Sequence, residues 1–411
     1  MNPLNLDLVR AEFPALAAAD CVFLDNAGGS QVLKRVADRI HDYLLSSSVQ
    51  LGASYSTSQT ASARVLEARR GVAEMINAEF DDEVVMGGST TALMFMLIQA
   101  LRPGIQPGDE FIVTETDHEA NIGAWLRLQE FGAVIKIWPL NRSTLALDLE
   151  ALQALLSPRT RWVAMTYASN ILGTINPVAE VAALVHAVGA RLCVDAVAYA
   201  PHRLVDVQAC GADVLVFSFY KVFGPHYAVL WGRRALLLAL PGLNHEFIGP
   251  EVLPYKLQPG HVNFELSYGC LGLADYLVAI GETLGAGGTR RQRMQAAFTA
   301  FERHEDALAE RLLSWLRGQP GVSIVGLPTA AGGQRVPTIS FVVAGRAPQD
   351  IVAYLDAQHI GIRFGDFYAK RLIAALGLSE RGGVLRVSIA HYNTSAEIEA
   401  LILHLGAALA A

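Results

Sequence analysis

Two charged residues end apolar runs in which a folded chain rarely tolerates charge. Lys221 lies in Val214-Leu-Val-Phe-Ser-Phe-Tyr-Lys-Val-Phe-Gly-Pro-His226, and Asp195 closes Arg191-Leu-Cys-Val-Asp195. Short β-branched and aromatic runs of this kind read as buried strands. A lysine there is costly unless it snorkels to the surface, is paired, or is used chemically. An acid at one strand end and a lysine at the next is what a pyridoxal 5′-phosphate (PLP) site requires. The lysine forms a Schiff base with the aldehyde, and the acid keeps the ring nitrogen protonated so that the ring can accept electrons.

Four further segments suit that chemistry. In Gly87-Gly-Ser-Thr-Thr91, Ser89 and Thr90 open a helix, where hydroxyls, backbone N–H groups and the dipole favour a phosphate. The same residue types are also ordinary helix caps. Asp117-His-Glu-Ala-Asn121 brings His118 to a strand end, where an imidazole can stack on a ring or move protons, although a lone loop histidine is commonly only exposed. Asn170, in Ser169-Asn-Ile-Leu-Gly-Thr174, can donate to a phenolate or a carboxylate, or simply build a turn. Arg386 interrupts the apolar strand Val384-Leu-Arg-Val-Ser-Ile389. Its fork needs an anion, either a substrate carboxylate or a structural acid.

The elements expected to position these residues alternate. Apolar strands are read at 83–86, 110–114, 134–138, 161–166, 191–195, 214–218 and 228–231, with helices at 91–101, 120–130 and 179–188 between them. Near-continuous apolar strands separated by helices imply a mostly parallel seven-stranded α/β sheet, which binds ligands at its carboxyl ends. Residues 241–269 read as irregular, and a long charged helix follows over 289–317. An α+β region then carries strands near 323–325, 338–343, 361–363 and 384–389, with helices at 350–358, 369–376 and 395–408. The expected organisation is an N-terminal segment, 1–20, packing with the small domain, a PLP-binding major domain, 21–290, and a C-terminal minor domain, 291–411.

Composition narrows the class. The chain of 411 residues is 52% hydrophobic and 17% charged, which suits a large covered sheet or an extensive subunit interface. A net charge of −7 leaves no basic footprint for nucleic acid. No apolar stretch reaches the length of a membrane span, and the N-terminus has no signal-like apolar core, so a cytoplasmic enzyme is expected. Cys21, Cys193, Cys210 and Cys270 form no C-x-x-C pair and no metal-ligand spacing with histidine, so no metal is expected.

Taken together, Phe23-Leu-Asp-Asn-Ala27, Gly88-Ser-Thr90, Asp117–Asn121, Ser169–Pro177, Val194-Asp195, Ser218–Pro225 and Arg386–Thr394 resemble one family over nearly the whole chain. It is the class V aminotransferase family of PLP enzymes, in its branch of cysteine desulfurases, selenocysteine lyases and isopenicillin N epimerase-like proteins. The resemblance implies a PLP-dependent transferase fold of the aspartate aminotransferase type (fold type I) and a homodimer with shared active sites. It makes Lys221 the Schiff-base residue, Asp195 the partner of the pyridine nitrogen and His118 the ring-stacking group. Ser89, Thr90, Ser218 and Tyr220 fall at the phosphate, with His261 added from the neighbouring subunit. Arg386 matches the α-carboxylate receptor, and Asn26, Arg363 and Tyr368 are further substrate contacts.

Departures from the family pattern bear on the reaction. Where desulfurases carry a persulfide-forming cysteine, this chain has Tyr368, and no cysteine follows Cys270. Ala198 stands where many members place glutamine or histidine, which leaves Asn170 as the main partner of the cofactor's phenolate. Tyr220 replaces a common histidine. The expected reaction on an α-amino acid, through a Lys221 aldimine and a quinonoid, is carbon–sulfur β-elimination without a persulfide. The alternatives are an epimerase or aminotransferase, and a non-catalytic scaffold with the same fold.

Overall fold

The computed structural model describes residues 2–410. A short strand, Val22–Phe23 (β1), precedes seven others: Val84–Gly87 (β2), Glu110–Thr114 (β3), Val134–Trp138 (β4), Thr160–Thr166 (β5), Arg191–Asp195 (β6), Val214–Ser218 (β7) and Ala228–Gly232 (β8). These seven form one sheet in the order β2-β8-β7-β6-β5-β3-β4. All its pairings are parallel except those of β8, which runs antiparallel to β2 and β7. Every residue of β3, β7 and β8 is buried, as a sheet covered on both faces demands. The edge strand β4 exposes Val134 and Ile137 and places Lys136 against buried Glu110 at 2.6 Å, a charge that blunts further strand pairing.

Five strands follow: Val322–Val325 (β9), Thr338–Val343 (β10), Ile360–Gly361 (β11), Arg363–Gly365 (β12) and Val384–Ser388 (β13). Four make a second, antiparallel sheet in the order β12-β13-β10-β9, and β11 pairs in parallel with β1. The stretch read as one strand over 361–363 is thus two short strands on different partners. Near the N-terminus, Val9 and Phe13 join the core beneath the large sheet. Arg10 donates to the Tyr392 carbonyl at 2.8 Å and pairs with Glu397 at 2.9 Å.

Three helical regions depart from the sequence expectation. The helix read over 120–130 is a short α-helix, Gly123–Leu126, between two 3-10 turns, 119–121 and 127–131. The irregular stretch ends at Asn263, whose side chain accepts the Leu266 N–H at 2.8 Å and starts a twenty-residue helix, Phe264–Thr283. Two long helices left unassigned, Lys34–Ser46 and Ser56–Ile76, pack on it together with Arg290–Arg317. The helix from Phe264 eludes a pattern search because it is buried on most sides and contains glycines, which read as breaks. Those glycines serve close packing. A Cβ at Gly272 would lie 2.9 Å from the Arg35 carbonyl carbon and oxygen, and one at Gly281 would lie 2.2 Å from the Arg293 carbonyl oxygen.

Gly281→Ala should therefore destabilise the protein by about 1–3 kcal/mol or more in urea unfolding, because backbone must move to admit the methyl group. Gly287→Ala, where a Cβ meets nothing within 4 Å, is the control and should stay within about 0.5 kcal/mol.

Candidate active site

Loops leaving the carboxyl ends of four neighbouring strands converge on one cavity. His118 follows β3, Asn170 follows β5, Asp195 ends β6 and Lys221 follows β7 in a single 3-10 turn, Phe219–Lys221. From beyond β8, β2 delivers Ser89 and Thr90 at the start of the helix Thr90–Leu101. Ser89, Thr90, His118, Asn170, Asp195, Ser218, Tyr220 and Lys221 all line the inner cavity, with an empty volume of ≈ 520 Å³. An outer cavity of ≈ 780 Å³ shares His118, Asn170, Tyr220 and Lys221 with it and adds Ala27, Arg363, Phe367, Tyr368 and Arg386.

Lys221 is 8% exposed, and its amine is pushed down to about 8. Burial is the main cause and repulsion from Arg386 the second, opposed by Asp195 and Asp25. The Asp195 carboxyl is raised to about 6 by burial, against the pull of the Val197 N–H, which donates to Oδ1 at 2.8 Å, and of Lys221. His118 is lowered to about 4 by burial and by the positive charges of Lys221 and Arg386, so its ring is neutral near pH 7. Its Nδ1 accepts the Ala120 N–H at 3.1 Å, which assigns the ring proton to Nε2. The Thr90 and Ser218 hydroxyls lie 2.6 Å apart, and Ser89 Oγ caps its helix by accepting the Ala92 N–H at 3.1 Å.

Arg386, on the middle of β13, is 2% exposed. Its Nη2 donates to Asp25 Oδ1 at 3.0 Å, its Nη1 donates to the Asn170 carbonyl at 3.3 Å, and its Nε has no partner. The structural ion pair weighed against a substrate role is thus present, with Asp25 as the acid. Arg363, the cross-strand neighbour of Arg386, approaches the same carboxylate at 3.5 Å.

Other expected residues lie differently. Asn170 lines both cavities, but one N–H of its amide is committed to the Phe367 carbonyl, Nδ2 donating at 3.0 Å. Asn26 lines neither cavity. Its Nδ2 donates to the Ser388 carbonyl at 2.7 Å and to Asn393 Oδ1 at 3.2 Å, and its Oδ1 accepts from the Tyr392 hydroxyl, so it ties the chain after β1 to the end of β13. His261 is exposed beside Tyr255, at a ring distance of 5.7 Å, and lines neither cavity within this chain. Tyr368 is 70% exposed with its ring 5.3 Å from that of His118. Asp25 and Phe367 were not singled out from sequence. Asp25 sits inside the motif Phe23–Ala27, where an acid beside a short strand was the available signal. Nothing local distinguishes Phe367.

A family model described as class V aminotransferase matches residues 22–401. An aminotransferase-like protein of Gibberella zeae is 42% identical over 98% of both chains. A cysteine desulfurase of Serratia proteamaculans is 30% identical over 97% of this chain and 96% of its own. Among solved structures, the cysteine desulfurase CsdA of Escherichia coli superposes with a TM-score of 0.84 at 31% identity, covering 100% of this chain and 99% of that one.

The buried amine contributes to the pH response of the protein above neutral pH. Because Lys221 titrates at about 8 when folded and at 10.5 otherwise, folding opposes its charge, and the cost fades as pH rises through that window. Lys221→Met should stabilise the ligand-free protein by about 2–3 kcal/mol at pH 7, with the gain shrinking between pH 8 and 10. Denaturant unfolding at both ends of the window measures it, and a pH-independent difference would rule out the buried charge as the cause.

Proposed function

Because the chain belongs to the class V aminotransferases and to their cysteine desulfurase-like PLP enzymes, we propose that it is a PLP-dependent carbon–sulfur lyase. It cleaves the Cβ–S bond of a cysteine-type amino acid without passing sulfur to a protein thiol. The residues present suit the cofactor: a buried amine near neutral pKa, a buried carboxyl opposite, and two hydroxyls meeting at a helix N-terminus. Lys221 would carry PLP, Asp195 its ring nitrogen, His118 its ring face, and Ser89, Thr90, Ser218 and Tyr220 its phosphate. Bound there, PLP withdraws electron density from the Cα of an attached amino acid.

The protein's own groups supply the rest. Lys221 Nζ, once the substrate's amino group has displaced it, would take the Cα proton, its basicity lowered toward neutral pH by burial. Arg386 receives the α-carboxylate, whose fork-to-fork fit orients the substrate. The Cβ–S bonding pair leaves with sulfur, which is protonated, and with one water the products are pyruvate, ammonia and a thiol or sulfide. The choice of reaction is supported by the sequence reading that Tyr368 stands where desulfurases carry their sulfur-accepting cysteine, together with its place in the lining of the outer cavity, 5.3 Å from the His118 ring. Cys193, Cys210 and Cys270 are buried with thiols pushed up by burial, and none of the four cysteines lines either cavity.

The name of the Gibberella zeae relative favours amino transfer as the second reading. The proposal further takes the protein as a cytoplasmic homodimer, with His261 reaching the partner's phosphate site, and divides it at about residue 290. No helix of the described residues is long and apolar enough to cross a membrane.

L-cysteine and S-alkyl cysteines should yield pyruvate and sulfide or thiol in equal amounts. Amino transfer would instead give a keto acid that keeps the side chain. Borohydride should fix PLP covalently on Lys221, read by peptide mass spectrometry, and another lysine would refute the assignment. Replacing all four cysteines by serine or alanine should leave turnover within a few-fold, with stability losses of about 1–3 kcal/mol per buried site. If any single replacement stops sulfur release while fold and cofactor stay intact, a protein thiol carries the sulfur after all.

A further inference from the structure

The loop Asp366–Tyr368, which walls the outer cavity, uses backbone that bulky residues rarely adopt: φ is 49° at Phe367 and 60° at Tyr368. Such conformations persist where the surroundings over-determine them, and they cluster at ligand clamps. Here two bonds cross from the loops of the large sheet. Asn170 Nδ2 donates to the Phe367 carbonyl at 3.0 Å, and the Glu119 N–H donates to the Tyr368 carbonyl at 2.8 Å. Inside the loop, the Tyr368 N–H donates to Asp366 Oδ1 at 2.9 Å.

The strained turn places the Phe367 ring against Arg386, with Cζ 3.6 Å from the ring centroid. Arg363 is farther off, at 5.9 Å. The ring covers one face of a guanidinium that is buried, has an unpartnered Nε, and is held at its edge by Asp25 and the Asn170 carbonyl. A planar cation stacked on an aromatic face is attracted to it, and more strongly once water is excluded. Asn170 thus touches both the arginine, through its carbonyl, and the loop bearing the ring, through its amide.

We propose that Phe367 is a positioning residue for Arg386: its ring fixes the plane of the guanidinium and keeps water off it, and Asn170 with the Glu119 N–H latches the loop that carries the ring. The inference rests on Arg386 receiving the substrate carboxylate. Loop closure and carboxylate recognition are then one event. A carboxylate that seats on the fork favours the closed loop, and the closed loop favours the carboxylate.

The test uses the cofactor-loaded enzyme and two readouts. In the first, chymotrypsin cuts after the loop residues Phe367 and Tyr368, and propionate, a carboxylate with no amine to react, should slow that cut. The propionate concentration giving half-protection should rise about tenfold in Phe367→Leu, which keeps apolar bulk without a π face, and return to near the wild-type value in Phe367→Tyr. In the second, KM for L-cysteine should rise about tenfold in Phe367→Leu while kcat falls less than threefold, again rescued by Phe367→Tyr. Equal half-protection in wild type and Phe367→Leu, or failure of Phe367→Tyr to rescue at unchanged melting temperature, overturns the proposal. If L-cysteine and its S-conjugates release no pyruvate, the lyase reading falls, while the propionate measurement still decides the role of Phe367.

Discussion

The arrangement depends on the desolvation of one amine. Lys221 sits at the carboxyl end of the innermost apolar strands, where water cannot pay for its charge, and that burial brings its pKa to about 8. Burial alone would be only a cost. Asp195, on the adjoining strand, and Asp25, beyond Arg386, partly offset it, and repulsion from Arg386 partly restores it. The outcome is an amine whose pKa lies near neutral pH, beside an imidazole kept neutral by burial and by the charges of Lys221 and Arg386.

Parallel β-topology makes this juxtaposition possible. Strands β7, β6, β5 and β3 are neighbours in space although helices and long connections separate them in the chain. Their carboxyl ends therefore offer four consecutive loops to one ligand. Strand β8, which is antiparallel, sends its carboxyl end the other way, and β2 beyond it returns to supply the helix N-terminus with Ser89 and Thr90.

The second sheet contributes the buried guanidinium. Arg386 is presented between Ser340 and Arg363 on neighbouring strands, and the chain after β1 threads alongside to deliver Asp25 to its fork. Asn26, next in sequence, is committed to holding that thread against Ser388 and Tyr392. If Arg386 is to receive a substrate carboxylate, as proposed, its guanidinium must exchange Asp25 for that partner. Arg363, 3.5 Å from the same acid, would then remain to neutralise it.

Much of the site was legible in the residues alone because it sits on regular strands. Apolar runs ending in Asp195 and Lys221 announce both the strands and the anomaly of charge within them, and β3, β4, β6, β7 and β10 lie where periodicity put them. The helix Phe264–Thr283 was hidden because its glycines are packing devices, legible only once Arg35 and Arg293 on neighbouring helices are in place. Tertiary structure also decided how shared groups are spent. That an Asn170 N–H meets the Phe367 carbonyl, and that Arg386 meets an internal acid, depend on residues far away in the chain. Strand ends and residue chemistry are local properties that a sequence carries by itself. The partner of a buried polar atom is settled by which distant segments reach it when water leaves.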